Sequence, residues 1–175
     1  MRKPGDVGNL PSGETYIVPY EGEKSLRSLT SGDIPVQIEN ELVIYRIREN
    51  KTVEIIGDGP IAEKERQFLK EEPAYGNIAE IGFGILRSLG VKPITDTNSL
   101  LVNEKLGLHI AWGRSEHFGG MVGPKDFKGT AIHLDRVFIP ELMPMIKVKR
   151  VDSISPQGQR TAMIVDDEYT AEIFQ

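Results

Sequence analysis

Apolar and polar residues alternate with a period of two along much of the chain, and this pattern predicts strands. Residues 15–19, Thr-Tyr-Ile-Val-Pro, read as a short strand with a proline near its end. Residues 42–48 and 52–56 alternate more clearly, and Glu49-Asn50-Lys51 between them fits a hairpin turn. Residues 78–85 are apolar around one carboxylate, Glu80, and read as a buried strand, with a short helix through Leu89 as the alternative. Residues 129–138 form a central strand candidate, and 145–154 and 161–165 follow as further strands. Helical spacing takes over in two places. In residues 61–72, Ala62, Phe68 and Leu69 fall on one stripe among charged positions. Residues 99–106 form a second, shorter helix, capped by Thr97 or Asn98 and ended by Gly107, which places His109 just past its C-terminus. Residues 1–13 and 20–33 read as loops. The expected fold is α+β: a β-rich mixed sheet with a few short helices, in a single domain over residues 1–175.

The pattern acquires a chemical centre at His133-Leu134-Asp135. On a strand these two side chains point to the same face, so an imidazole and a carboxylate share one spot, half of a metal site. The other two histidines, His109 and His117, lie shortly upstream, so all three fall between residues 109 and 133. Glu80 sits among Ile78, Ile81 and Phe83, where an ionised carboxylate is costly unless a cation or strong donors meet it. Glu14 follows a glycine-containing turn. Glu14, Glu80 and Asp135 bring three negative charges; two divalent ions and a hydroxide would balance them. Each piece also has a plainer role. His133 with Asp135 can be an exposed pair, His109 a half-buried structural histidine, Trp112 and Phe118 core. The residues alone therefore leave the reaction open.

Composition narrows the classes. The chain has no cysteine among its 175 residues, so thiolate ligands, disulfides and a cysteine nucleophile are excluded. A net charge of −5 without a basic run argues against nucleic acid. No apolar run reaches the ~20 residues of a membrane span and no signal core opens the chain, so a cytoplasmic protein is expected.

Four motifs in order resemble the aminopeptidase T family of leucyl aminopeptidase-like metallopeptidases: Asn9-Leu10-Pro11-Ser12-Gly13-Glu14, Ile78-Ala79-Glu80-Ile81-Gly82, Leu108-His109-Ile110-Ala111-Trp112-Gly113, and His133-Leu134-Asp135. The likeness covers the C-terminal, metal-binding half of that family. It implies a metalloexopeptidase that removes N-terminal residues from peptides with two divalent ions, zinc, cobalt or manganese. It assigns Glu14, Glu80, His109, His133 and Asp135 as ligands, with Glu80 and Asp135 bridging and Glu80 moving the proton of the attacking water. It also implies a homo-oligomer. The chain departs from the family twice. Where the family carries a tyrosine downstream of the first histidine, this chain has Glu116 and His117, which become further catalytic candidates. Only thirteen residues precede Glu14, where the family has a sizeable N-terminal domain, so a partner chain is the alternative to a homo-oligomer. Within the same superfamily, a ring-cleaving iron dioxygenase with one iron(II) is the second enzyme class, and His109, His133 and Asp135 would suffice for it. A metal-binding interaction domain without activity is the third.

Overall fold

The computed structural model describes residues 13–94 and 100–174. The opening loop through Ser12 and the proposed caps Thr97 and Asn98 lie outside the described residues. Ten strands, β1 (Glu14–Ile17), β2 (Gly32–Ile38), β3 (Glu41–Arg48), β4 (Lys51–Ile56), β5 (Ile78–Gly84), β6 (Leu108–Gly113), β7 (His133–Val137), β8 (Arg150–Ile154), β9 (Arg160–Val165) and β10 (Glu168–Tyr169), form three sheets. Their orders are β1-β5-β6-β7, β2-β3-β4 and β10-β9-β8. The helices are α1 (Pro60–Glu71) and the single turn α2 (Leu100–Asn103), with short 3-10 turns between elements. The α+β class is borne out. The sheet was expected to be mixed; every pairing among the described strands is antiparallel.

The hairpin between β3 and β4 follows from its turn residues. Glu49 and Asn50 both take positive φ, 49° and 67°, which suits a two-residue hairpin turn and the twist of the strands it joins. Asn50 also ties this sheet to the next. Its Nδ2 donates to Asn77 Oδ1 (3.1 Å) and to the Ile78 carbonyl (2.8 Å) at the start of β5. Only Gly32 and Asp33 of β2 fall in the expected loop, and no element is expected over residues 34–41, where most of β2 forms. Pro35 and Asp33 argue against a strand in isolation, but β2 is a sheet edge, where proline costs no ladder bond. The end of the chain was also simplified. The strand expected over 145–154 is formed only over Arg150–Ile154, and the tight turn at Asp166-Asp167, both at positive φ, adds β10.

Helix α1 begins at Pro60, a favourable first position because proline has no N–H to leave unpaired. Its next two backbone N–H groups donate to Glu41 at 3.0 and 2.8 Å, so a carboxylate from β3 caps the helix, an interaction worth about 1 kcal/mol. The main core lies between β2-β3-β4 with α1 and one face of the sheet β1-β5-β6-β7. Val36, Val43, Tyr45, Ile47 and Ile55 meet Ile78 and Trp112, with Leu108, Ile110 and Leu134 packed alongside. Trp112 stacks on Tyr45 with centroids 5.0 Å apart and donates its indole N–H to Thr52 Oγ1 at 3.1 Å. Among the described residues, no helix is long and apolar enough to cross a membrane.

Candidate metal centre

The same period of two that turns Ile110, Trp112 and Leu134 into the core turns their neighbours the other way. His109 pairs across the sheet with Gly82 and Val137, and Ala111 with Glu80 and Asp135. Gly113 pairs with His133, and on the other side Gly82 pairs with Tyr16 and Gly84 with Glu14. Directly opposed residues share a face. Glu14, Glu80, His109, His133 and Asp135 therefore all project from one side of one sheet, from four adjacent strands. Gly82, Gly84, Ala111 and Gly113 lie between them on that face, so there is room for long polar side chains to converge.

His109 is a strand residue of β6, two positions beyond Gly107, which ends the 3-10 turn Glu104–Leu106, so it lies just past a helix end as expected. A Cβ on Gly82 would fall inside the His109 imidazole. The ring lies over β5 in the space that a side chain at position 82 would fill.

The charged groups meet in the interior. Glu80 is 3% exposed and His109 1%. Glu80 Oε1 lies 3.3 Å from His109 Nε2, and Glu80 Oε2 lies 3.2 Å from His133 Nε2. Asp135 Oδ1 is 3.5 Å from His133 Nε2. The other nitrogen of each ring faces a backbone carbonyl: His109 Nδ1 meets Gly107 O at 3.2 Å and His133 Nδ1 meets Arg114 O at 2.7 Å. A carbonyl can only accept, so each Nδ1 carries the proton and donates it. Each Nε2 is then a lone pair aimed at a carboxylate unless a proton or a cation lies between them.

In the metal-free protein that positive charge is a proton. Burial would lower the His133 pKa, but Asp135 and Glu80 outweigh it and push it up to about 10. Burial would raise the Glu80 carboxyl, but hydrogen bonds from His109 and His133 outweigh it and hold its pKa at about 2. His109 is likewise raised, Glu80 and the Gly107 carbonyl overcoming its burial. The consequence is a pH-dependent stability. His133 lies at about 10 in the fold, against its ordinary 6.5. Its contribution is complete below the ordinary value and is lost as pH rises through the folded one. The Glu80 contribution is present above the ordinary carboxylate value and is lost as pH falls toward about 2. In a chelator, the protein is expected to be more stable near pH 6 than near pH 10, by on the order of 3 kcal/mol. Urea unfolding at the two pH values measures this; equal stability would show that the ion pairs form no unit.

Glu80, His133 and Asp135 place one ligand atom each within 4.8 Å of one another, the group among the described residues that could hold a metal ion. Asp135 Oδ1 and Glu14 Oε2 are buried without a hydrogen-bond partner, as oxygens left for a cation would be. Oxygen and imidazole donors without sulfur suit a divalent first-row metal ion. Glu14 stands at the far side of the face. Its Oε1 accepts from Lys105 Nζ at 2.6 Å, and the same ammonium donates to Glu104 at 2.8 Å. Lys105 and Glu104 were not singled out from the sequence, where they pass as ordinary charges at a helix end. Burial raises the Glu104 carboxyl, and Asp135 and Glu14 add to it against the pull of Lys105.

Glu116 and His117 lie on the rim. Glu116 is held by Arg114 through two hydrogen bonds of 2.6 and 2.7 Å, which lower its pKa, and its Oε2 lies 3.6 Å from His117 Nδ1. His117 is nearer, edge-on to His133 with centroids 4.9 Å apart and packed on Phe118 at 4.0 Å. Burial and the His133 charge lower its pKa, which favours the neutral imidazole. Phe118 in turn packs on Tyr16 of β1 at 4.5 Å. Glu21, another residue missed from the sequence, holds this rim in place. It accepts from Asn77 Nδ2 at 2.6 Å, from Ser115 Oγ at 2.7 Å and from the Met121 backbone N–H.

The fold has a solved counterpart. Wild-type AmpT from Thermus thermophilus is similar with a TM-score of 0.55 and 18% identity, over 93% of this chain. The chain spans 41% of the length of that protein. At this identity the likeness shows the fold alone, a partial one. No protein-family model matches the chain, and no curated protein matches it. On this fold Glu80, His133 and Asp135 form a group that could hold a metal ion.

Proposed function

We propose that this chain is the metal-binding part of an aminopeptidase-like hydrolase that removes N-terminal residues from peptides. The observation that carries the proposal is the pair of Nε2 atoms facing the two oxygens of Glu80, with both Nδ1 atoms tied to carbonyls. Glu80, His133 and Asp135 would hold one divalent ion, and His109 and Glu14 would help to hold a second. Ions there would polarise the scissile carbonyl and make a water acidic enough to ionise near neutral pH.

The protein's own groups then have separate tasks. Glu80 accepts the proton of the attacking water and returns it to the departing amine. The Gly107 and Arg114 carbonyls hold both imidazoles in the tautomer that ligates. His117, neutral on the rim, can take a hydrogen bond from the substrate's N-terminal amine or leaving group. Glu116, its charge matched by Arg114, lies 3.6 Å from His117 Nδ1 and can orient that ring. The dioxygenase alternative draws on His109, His133 and Asp135 around one iron(II). The group that converges here has two carboxylates and one imidazole instead, which favours the hydrolase.

Metal content per chain decides between them. Protein purified without chelator, then reconstituted with zinc, cobalt, manganese or ferrous iron, is expected to take about two divalent ions and to release N-terminal residues from a peptide library. One iron per chain with ring cleavage of a dihydroxypyridine would move the assignment to the dioxygenase. No ion under any condition would overturn both enzymes and leave an interaction domain.

A further inference from the structure

We infer that Lys105 is an internal counter-cation that takes the place of the second metal ion at Glu14, so that the two ion positions fill in order and with unequal affinity. This rests on the two-ion proposal above and goes beyond it. Glu80, His133 and Asp135 converge with no cationic side chain but the histidines themselves among their partners. The Glu14 side is different. Its Oε1 is bound to Lys105 Nζ at 2.6 Å, with both side chains about four-fifths buried. The ammonium also binds Glu104 at 2.8 Å. The chain therefore supplies one fixed positive charge between two carboxylates, where the second ion would need Glu14 free.

The position of Lys105 is set by the backbone. Gly84 pairs with Glu14, and a Cβ on Gly84 would strike the Lys105 carbonyl, so the turn carrying the lysine lies directly on this strand pair. The Gly84 N–H donates to Gly107 O and the Leu86 N–H to Lys105 O, both at 2.9 Å, which fasten it there. Glu104 gives the ammonium a partner to keep when Glu14 turns to an ion. Displacement then costs one ion pair and leaves no charge alone. An ion at the first position meets no such competitor.

Zinc and cobalt titrations by calorimetry on the full chain test the inference, with wild type, Lys105→Met and Lys105→Arg compared. Wild type is expected to bind two ions, the second at least about tenfold more weakly. Lys105→Met is expected to strengthen the second step at least about tenfold and leave the first unchanged, while Lys105→Arg keeps the wild-type pattern. A second step unchanged or weakened in Lys105→Met overturns it. Should Lys105→Met fail to fold, wild type still answers: labelling of Lys105 by an amine-reactive reagent, read by mass spectrometry, is expected to speed up with the second equivalent of zinc and not with the first. Equal labelling at both overturns the inference. If wild type and both variants take no ion, the two-ion proposal falls and this inference with it. If wild type binds two ions alike and Lys105→Met does the same, only this inference falls.

Discussion

Glu80→Gln is expected to lower metal-dependent peptide hydrolysis by about 10³-fold while the protein stays folded. The amide has the same shape as the carboxylate. Its oxygen can accept from one imidazole and its N–H can donate to the lone pair of the other, so the contacts at 3.2 and 3.3 Å survive in neutral form. What is lost is the negative charge, the capacity to bridge and the base. Glu80 is 3% exposed, so no water replaces it. Circular dichroism checks the fold, kcat/KM checks the chemistry and ion content per chain checks the ligation. Unchanged turnover with full metal content would remove Glu80 from the mechanism. A large loss of ions with a smaller loss of rate would make it a ligand only.

Gly82→Ala is expected to destabilise the protein by about 3 kcal/mol and to loosen His109. The backbone at this position carries no positive φ, so alanine is not strained in itself. The cost is a collision, because the methyl would enter the His109 ring. The ring cannot step aside. It is 1% exposed, it donates to Gly107 O, and Glu80 lies against its far nitrogen. Overpacking and a broken charged hydrogen bond each contribute about 1–3 kcal/mol. Urea unfolding measures the sum. The double variant with His109→Ala is expected to be far less than additive, because the collision then has no partner. Additive costs would show that Gly82 serves the strand and not the histidine.

Local pattern carried a large part of the fold. The alternation in β3 and β4, the helix α1 and the buried character of β5 are visible in residue types, because period and turn chemistry act over a few residues. The edge strand β2 was not visible. Pro35 is unfavourable in a ladder, and only the knowledge that β2 is an edge among the described strands removes the objection. The site divides in the same way. His133 and Asp135 share a face by their spacing alone, and Glu80 is conspicuous as a carboxylate among isoleucines. Glu104, Lys105 and Glu21 carried no signal, since a charge on a turn looks the same whether it meets water or a buried carboxylate.

The sequence by itself determined which side chains could ligate, that sulfur takes no part, and that strands with a two-residue period would present them. The tertiary structure decided which of them meet. Antiparallel register places His109 opposite Gly82 and Asp135 opposite Ala111, and a slip of one residue would have sent them to the other face. It also decided that Glu14 is held by Lys105 and that Glu116 is held by Arg114. The reason is physical. Spacing along a strand sets the direction of a side chain, whereas a charged group's partner is set by which distant segments pack against it, and that depends on the whole core.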